Sequence, residues 1–171
     1  ITMKHLRLLL LATTLFIASS ISVEAQSKVA HINTQELVEA MPEMNSAKGE
    51  LEKLAKTYET DIQGMATELQ NKIKQYDSES ATKTDEENGK RLQEVQGMEQ
   101  SIRQYQTQAQ QDLQKKEFDL LKPITEKAKN AILKVGQAQG YDYVLDASQG
   151  QGVIFAGGKD LLQDVKSELG F

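Results

Sequence analysis

The sequence predicts an α+β protein that is mostly α: a long antiparallel helical hairpin, a coiled-coil arm, rooted in a small β-body formed by strands from both chain ends. Three observations lead there. Apolar residues recur at helical spacing through a middle rich in Gln, Glu, Lys and Ala. The two halves of that middle mirror each other. Short β-forming segments occur only towards the two ends.

The first element is a leader. Met3 is followed by Lys4 and Arg7, then by the apolar run Leu8 to Ile17, then by small and polar residues up to Val23-Glu24-Ala25. A short positive region, an apolar core and a small-x-small exit describe a cleaved secretory signal peptide over residues 1–25. A bilayer span needs about 20 apolar residues, so the core is too short to cross one. The mature chain is then expected to start at Gln26, as one domain over 26–171 with its body at 26–43 and 125–171 and its arm at 44–124.

Composition narrows the function classes. There is no Cys and no Trp, and aromatics make up 5% of the chain, so disulfides are excluded and an elongated shape is favoured. The chain holds 25 acidic and 20 basic residues; without Lys4, Arg7 and Glu24 the balance is 24 against 18. That acidic excess disfavours nucleic acid and anionic lipid surfaces as partners.

In the body, Lys28 to Asn33 (KVAHIN) reads as a strand and TQELVEAM as a short helix opened by Thr34, with Pro42 breaking the chain before the arm. One arm stripe runs Met44, Ala47, Leu51, Leu54, Tyr58, Ile62, Met65, Leu69, Ile73, Tyr76. The other runs Leu92, Val95, Met98, Ile102, Tyr105, Ala109, Leu113, Leu120, Ile124. From Leu54 to Tyr76 the step averages about 3.67 residues, the period of a nearly straight or slightly right-handed pair. When the stripes are opposed, the two residue numbers sum to a constant within one, from Met44 with Ile124 to Tyr76 with Leu92. Only an antiparallel hairpin does that, with its tip near Thr84 inside the polar stretch 78–90. Leu51, facing Lys116 or Glu117, interrupts the seam. Gly64 and Gly97, inside the helices, each cost about 1 kcal/mol relative to Ala and either permit bending or are locally tolerated.

Beyond Lys122-Pro123, where the proline either starts a new segment or kinks the old one, a helical pattern continues to a cap at Gly140. YDYVLDAS then reads as a strand, QGQG as a turn, VIFA (Val153 to Ala156) as a further strand, and DLLQDVKSEL as a closing helix. The stretch GQGVIFAGGKD mimics a phosphate loop but misses its spacing: counted from Gly152 a glycine stands where the lysine belongs, and Asp160 follows Lys159 where Ser or Thr is required. Asp160 is better read as a helix cap paired with Gln163. The dinucleotide motif fails at Phe155, and DEENGK lacks the calcium-loop spacing. With His31 the one histidine after the leader, neither a transition-metal site nor a Ser-His-Asp triad is supported. No catalytic residue, metal site or cofactor is expected.

The order of these elements, and above all VAHINTQEL at the start and YDYVLDAS with KDLLQDV at the end, resembles the Skp (OmpH-like) periplasmic chaperones across the whole mature chain. The resemblance implies a homotrimer whose strands form a β-body and whose three arms enclose a cavity. It implies ATP-independent holding of unfolded outer-membrane β-barrel proteins in the periplasm, without stable membrane insertion. Familiar members are strongly basic; this chain is acidic, so lipopolysaccharide binding is not carried over. On this reading Tyr58, Met65, Tyr76, Met98 and Tyr105 are the candidate client-contacting arm residues, with the two methionines supplying adaptable apolar surface or simply filling the seam. Val29, Ile32, Val144, Leu145, Val153, Ile154 and Phe155 are the candidate oligomer-body residues. The competing reading is a structural or adaptor coiled coil that docks one folded partner.

Overall fold

A computed structural model describes residues 27–171; the leader and its cleavage site lie outside the described residues. The elements are β1 (Val29–Ile32), α1 (Thr34–Ala40), α2 (Pro42–Glu79), a short 3-10 turn (Ser80–Thr82), α3 (Asp85–Ala138), β2 (Tyr143–Asp146), β3 (Lys159–Asp160) and α4 (Leu162–Leu169). Local chemistry explains the boundaries. Asn33 caps α1, its side chain accepting from the Glu36 amide at 3.0 Å. Pro42 opens α2 at a position where its missing N–H costs nothing. At the tip Thr84 and Glu87 form a reciprocal capping box that starts α3.

Two open points are settled by α3. It is one helix of 54 residues that runs through Pro123 without ending, so the proline neither starts nor stops an element. It leaves the helix at Gly140, whose φ of 68° is the left-handed conformation that glycine adopts without strain. α2 and α3 pair antiparallel as the mirrored stripes require. Their cross-links follow the same register, from Glu43 with Lys127 near the base, through Glu50 with Lys116, to Glu79 with Arg91 at the tip. The Glu50–Lys116 pair, at 3.0 Å, sits beside Leu51, at the layer where the sequence places Lys116 or Glu117 opposite it.

The sheet is all parallel, ordered β2-β1-β3, with Val29 opposite Tyr143 and Ala30 opposite both Val144 and Lys159. Thus the first strand lies in the centre and both partners come from the far end of the chain. Val153 to Ala156 is not a strand, contrary to the sequence reading; Lys159–Asp160 pairs with β1 instead. Gly150 and Gly152, with φ of 87° and 85°, turn the chain before VIFA. VIFA finds no ladder partner among the described residues, and apolar β-formers alone do not make a strand. Asp160 is not the cap of the closing helix, contrary to the sequence reading: Leu161 holds that position without a side-chain cap bond, and Asp160, a strand residue, accepts from the Leu162 amide at 2.9 Å without Gln163.

The core sits where the arm's root meets the sheet. Ile32, Leu37, Met41, Leu161 and Val165 are fully buried, joined by Ala30, Met44, Ala47, Ile124, Ala128, Ala131, Val135 and Leu162. Gly136 is required there: a Cβ would stand 2.9 Å from the Val144 methyl, so α3 packs onto β2 only without one. Below the sheet, Asp146 ties β2 to α1, accepting from the Thr34 hydroxyl at 2.6 Å and from the Ser148 amide at 2.9 Å. Burial raises the Asp146 pKa, but the Ser148 and Thr34 hydrogen bonds outweigh it and hold the carboxyl below its ordinary value.

Candidate functional site

Two surfaces carry the candidate residues, and strand alternation creates the first. In β1, Ala30 and Ile32 point into the core, so Val29 points out, 43% exposed. Its neighbours across the ladder, Tyr143 and Leu145, are 60% and 44% exposed. In the loop between β2 and β3, Ile154 is fully exposed and Phe155 nearly so. Left uncovered, these five large apolar side chains of the body stay in water, which is the mark of interaction surface. Ile32 and Val144 face the other way: Ile32 is buried in the chain's own core and Val144 packs against it. Val153 is half-buried.

The arm is the second surface. Tyr58, Met65, Tyr76, Met98 and Tyr105 all lie half-buried in the α2–α3 seam. Two of them form a clasp at mid-arm. The Tyr58 hydroxyl donates to Asp112 at 2.9 Å and the Tyr105 hydroxyl to Asp61 at 2.7 Å. The two rings meet edge to face, 5.7 Å between centroids. Because each hydroxyl donates to a carboxylate, losing its proton is disfavoured. Hydrogen bonding to Asp61 pushes the Tyr105 pKa up to about 12, and bonding to Asp112 raises that of Tyr58.

A second clasp lies near the tip. Glu94 accepts from Lys72 and from the Tyr76 hydroxyl, which lowers its pKa, while Arg91 pairs with Glu79 and lies 4.5 Å over the Tyr76 ring. Met65 and Met98 line one cleft of ≈ 540 Å³ between the two clasps, together with Gly97 and Ile102.

The structure adds residues that periodicity passed over. Phe118 on α3 is 65% exposed although it is a large aromatic. It falls out of phase with the apolar stripe, and that phase error is the signal that marks it in the sequence. Leu92, in phase, is nevertheless 59% exposed. At the root, Val38, Ala128, Ile132, Leu133, Tyr141 and Val144 line an apolar groove of ≈ 490 Å³. Among the described residues no cluster of His, Cys, Asp or Glu could hold a metal ion, and no helix is long and apolar enough to cross a membrane.

With this geometry in view, the similarities to known proteins become interpretable. The outer membrane protein (OmpH-like) family matches residues 28–169, so the match covers both the body and the arm. A "Chaperone protein Skp" from Pectobacterium atrosepticum is 27% identical over 158 residues, 91% of this chain and 93% of that protein. A protein of the same name from Photorhabdus laumondii is 28% identical over 132 residues, 77% of this chain and 80% of that one. A solved OmpH-like structure from Caulobacter crescentus superposes with a TM-score of 0.75 at 17% identity, over 85% of each chain, and shows the shared fold.

Proposed function

Since the chain belongs to the OmpH-like family, whose relatives at this distance are named Skp chaperones, we propose that it is an ATP-independent periplasmic holdase. Three copies associate through their sheets, and three arms enclose a cavity that keeps unfolded outer-membrane β-barrel proteins from aggregating. The observation that carries this reading is exposed apolar surface in the body: Val29, Tyr143 and Leu145 on the outer sheet face, and Ile154 and Phe155 in the loop before β3, stay exposed in the single chain. Burying them between copies removes both the apolar patch and the open strand edges of β2 and β3.

Client holding then falls to the arms. Repeated, weak, sequence-tolerant contacts from several arms sum to useful avidity without any deep pocket. Tyr58, Met65, Tyr76, Met98 and Tyr105 offer aromatic and thioether edges along the seam, and Phe118 and Leu92 add exposed apolar groups. The domain reading follows the same division, with residues 44–124 as the working arm and 26–43 with 125–171 as the anchoring body. The leader at 1–25 delivers the chain to the periplasm and is removed.

The test combines mass and activity. The purified mature chain should sediment as a trimer and suppress aggregation of a diluted, unfolded outer-membrane barrel at about one trimer per client. Ile154→Asp with Phe155→Asp should yield monomers that no longer protect the client. A wild-type monomer, or a trimer that leaves client aggregation unchanged, overturns the proposal. Binding of one folded partner with indifference to unfolded chains would instead establish the adaptor reading.

A further inference from the structure

The arm's polar cross-links are unevenly placed. Between the Tyr105–Asp61 bond and the Lys72–Glu94 pair, no hydrogen bond or ion pair joins α2 to α3 among the described residues. Over that stretch, residues 62–71 of α2 and 95–104 of α3, the helices are held by apolar side chains alone. Met65 and Met98 stand in it, lining one cleft from opposite helices. Gly64 and Gly97 lie in the same stretch, and a Cβ at either would meet nothing within 4 Å, so packing does not demand a glycine. Each weakens its helix where the cross-links are missing. Thus the stretch of seam without polar cross-links to fix its register is built around two thioethers.

We propose that Met65 and Met98 form an oxidation-sensitive joint in the arm, the target of small oxygen-transferring oxidants of the peroxide class. The thioether sulfur attacks one peroxide oxygen. An S–O bond forms as the O–O bond breaks, and the proton on the transferred oxygen passes to the departing hydroxide. Sulfur is oxidised by two electrons to the sulfoxide, and the peroxide is reduced to water. A flexible apolar side chain becomes polar and loses its place in the seam, and no cross-link in the stretch compensates. The tip beyond Lys72, kept intact by the Glu94 and Glu79 clasps, then moves as a unit relative to the base.

The other described methionines provide the internal contrast. Met41 is fully buried and Met44 is 8% exposed in the body core, whereas Met65 and Met98 are half-buried beside an open cleft. Oxidant therefore reaches the joint before it reaches the core. The proposal concerns the arm alone and does not depend on what the arm holds.

The experiment treats the full mature chain with hydrogen peroxide, maps sulfoxides by peptide mass and follows amide hydrogen exchange. Met65 and Met98 should gain oxygen several-fold faster than Met41 and Met44. Exchange across 62–71 and 95–104 should then rise by about tenfold while the body's protection is unchanged. Methionine sulfoxide reductases should restore it, and Met65→Leu with Met98→Leu, a volume-conserving pair, should be indifferent to peroxide. The idea fails if the four methionines oxidise at equal rates. It fails equally if Met65 and Met98 become sulfoxides and exchange in the stretch does not change. Both of those measurements use the wild-type chain, so they stand whatever the double variant does.

Discussion

In the body, thirteen apolar residues from β1, α1, α2, α3 and α4 and the segments beside them pack into one buried cluster; along the arm between Leu51 and Leu120, most seam side chains are half-buried, Leu92 is exposed and Ala109 alone is buried. The same helices, α2 and α3, take part in both. At the root they are backed by a sheet and by α1 and α4, so an apolar side chain is enclosed on every side. Further out each faces one partner, and about half of its surface remains in water. What replaces burial there is a ladder of cross-helix polar contacts: Tyr58–Asp112, Asp61–Tyr105, Lys72–Glu94, Glu79–Arg91. Exposed contacts of this kind fix register more than they add stability. The comparison teaches that one helix serves two ends: its root is made to stay folded and its outer part is made to remain adjustable.

The largest effect that separates the two regions is a cavity in the body. Leu37→Ala, at a fully buried site, should cost about 2–5 kcal/mol and lower the thermal midpoint of the whole chain. Were it no more harmful than a seam substitution such as Leu69→Ala, the distinction between enclosed root and open arm would be wrong. Next comes Thr84→Ala, which removes the capping box and should cost about 1 kcal/mol. Hydrogen exchange should place that loss at the arm's tip, with the body unaffected. In the opposite direction, Gly64→Ala and Gly97→Ala should each add about 1 kcal/mol of helix stability, because no neighbour obstructs the new methyl. A destabilisation at either site would show that the bare backbone itself is needed there.

The smallest effects are those of pH, and they divide the molecule by sign. Tyr105 has its folded pKa raised, so the stability it contributes is present below its unfolded value of 10.0 and is lost as pH climbs through about 12. Tyrosinate absorbance should show its late ionisation, and Tyr105→Phe should abolish the late phase. Asp146 is the reverse case. Its lowered pKa means that its contribution is present above the unfolded value of 3.8 and fades as pH falls through the folded value beneath it. Asp146→Asn should therefore flatten the acid limb of the body's stability profile.

Much of this was legible in the sequence for a definite reason. Helix register is a local, repeating property, so mirrored stripes revealed the hairpin, its tip near Thr84 and the nearness of Met65 to Met98. The end strands were legible as segments, but their two faces were not told apart: the sequence reading groups Ile32 and Val144 with Val29 and Leu145, although they turn into the chain's own core. Pairing was not legible either. VIFA has the composition of a strand, yet Lys159–Asp160 takes the place beside β1, since a ladder depends on where the chain returns and not on β-propensity. The clasps also escaped the reading. Tyr58 finds Asp112 54 positions away, and the apolar pattern is silent about polar residues just off its stripe.

The place of β1 in its sheet has a consequence for how the chain acquires its structure. The first strand to emerge pairs with Tyr143 to Asp146 and with Lys159–Asp160, so neither neighbour exists until nearly the whole polypeptide has been made. Contacts so distant along the chain form slowly, whereas the arm zips from a tight turn at Thr84 with each rung close to the last. Folding is therefore expected to begin far from both termini and to finish where they meet. Until that last step β1 waits with both edges open, and the protein is itself a chain in need of protection from aggregation.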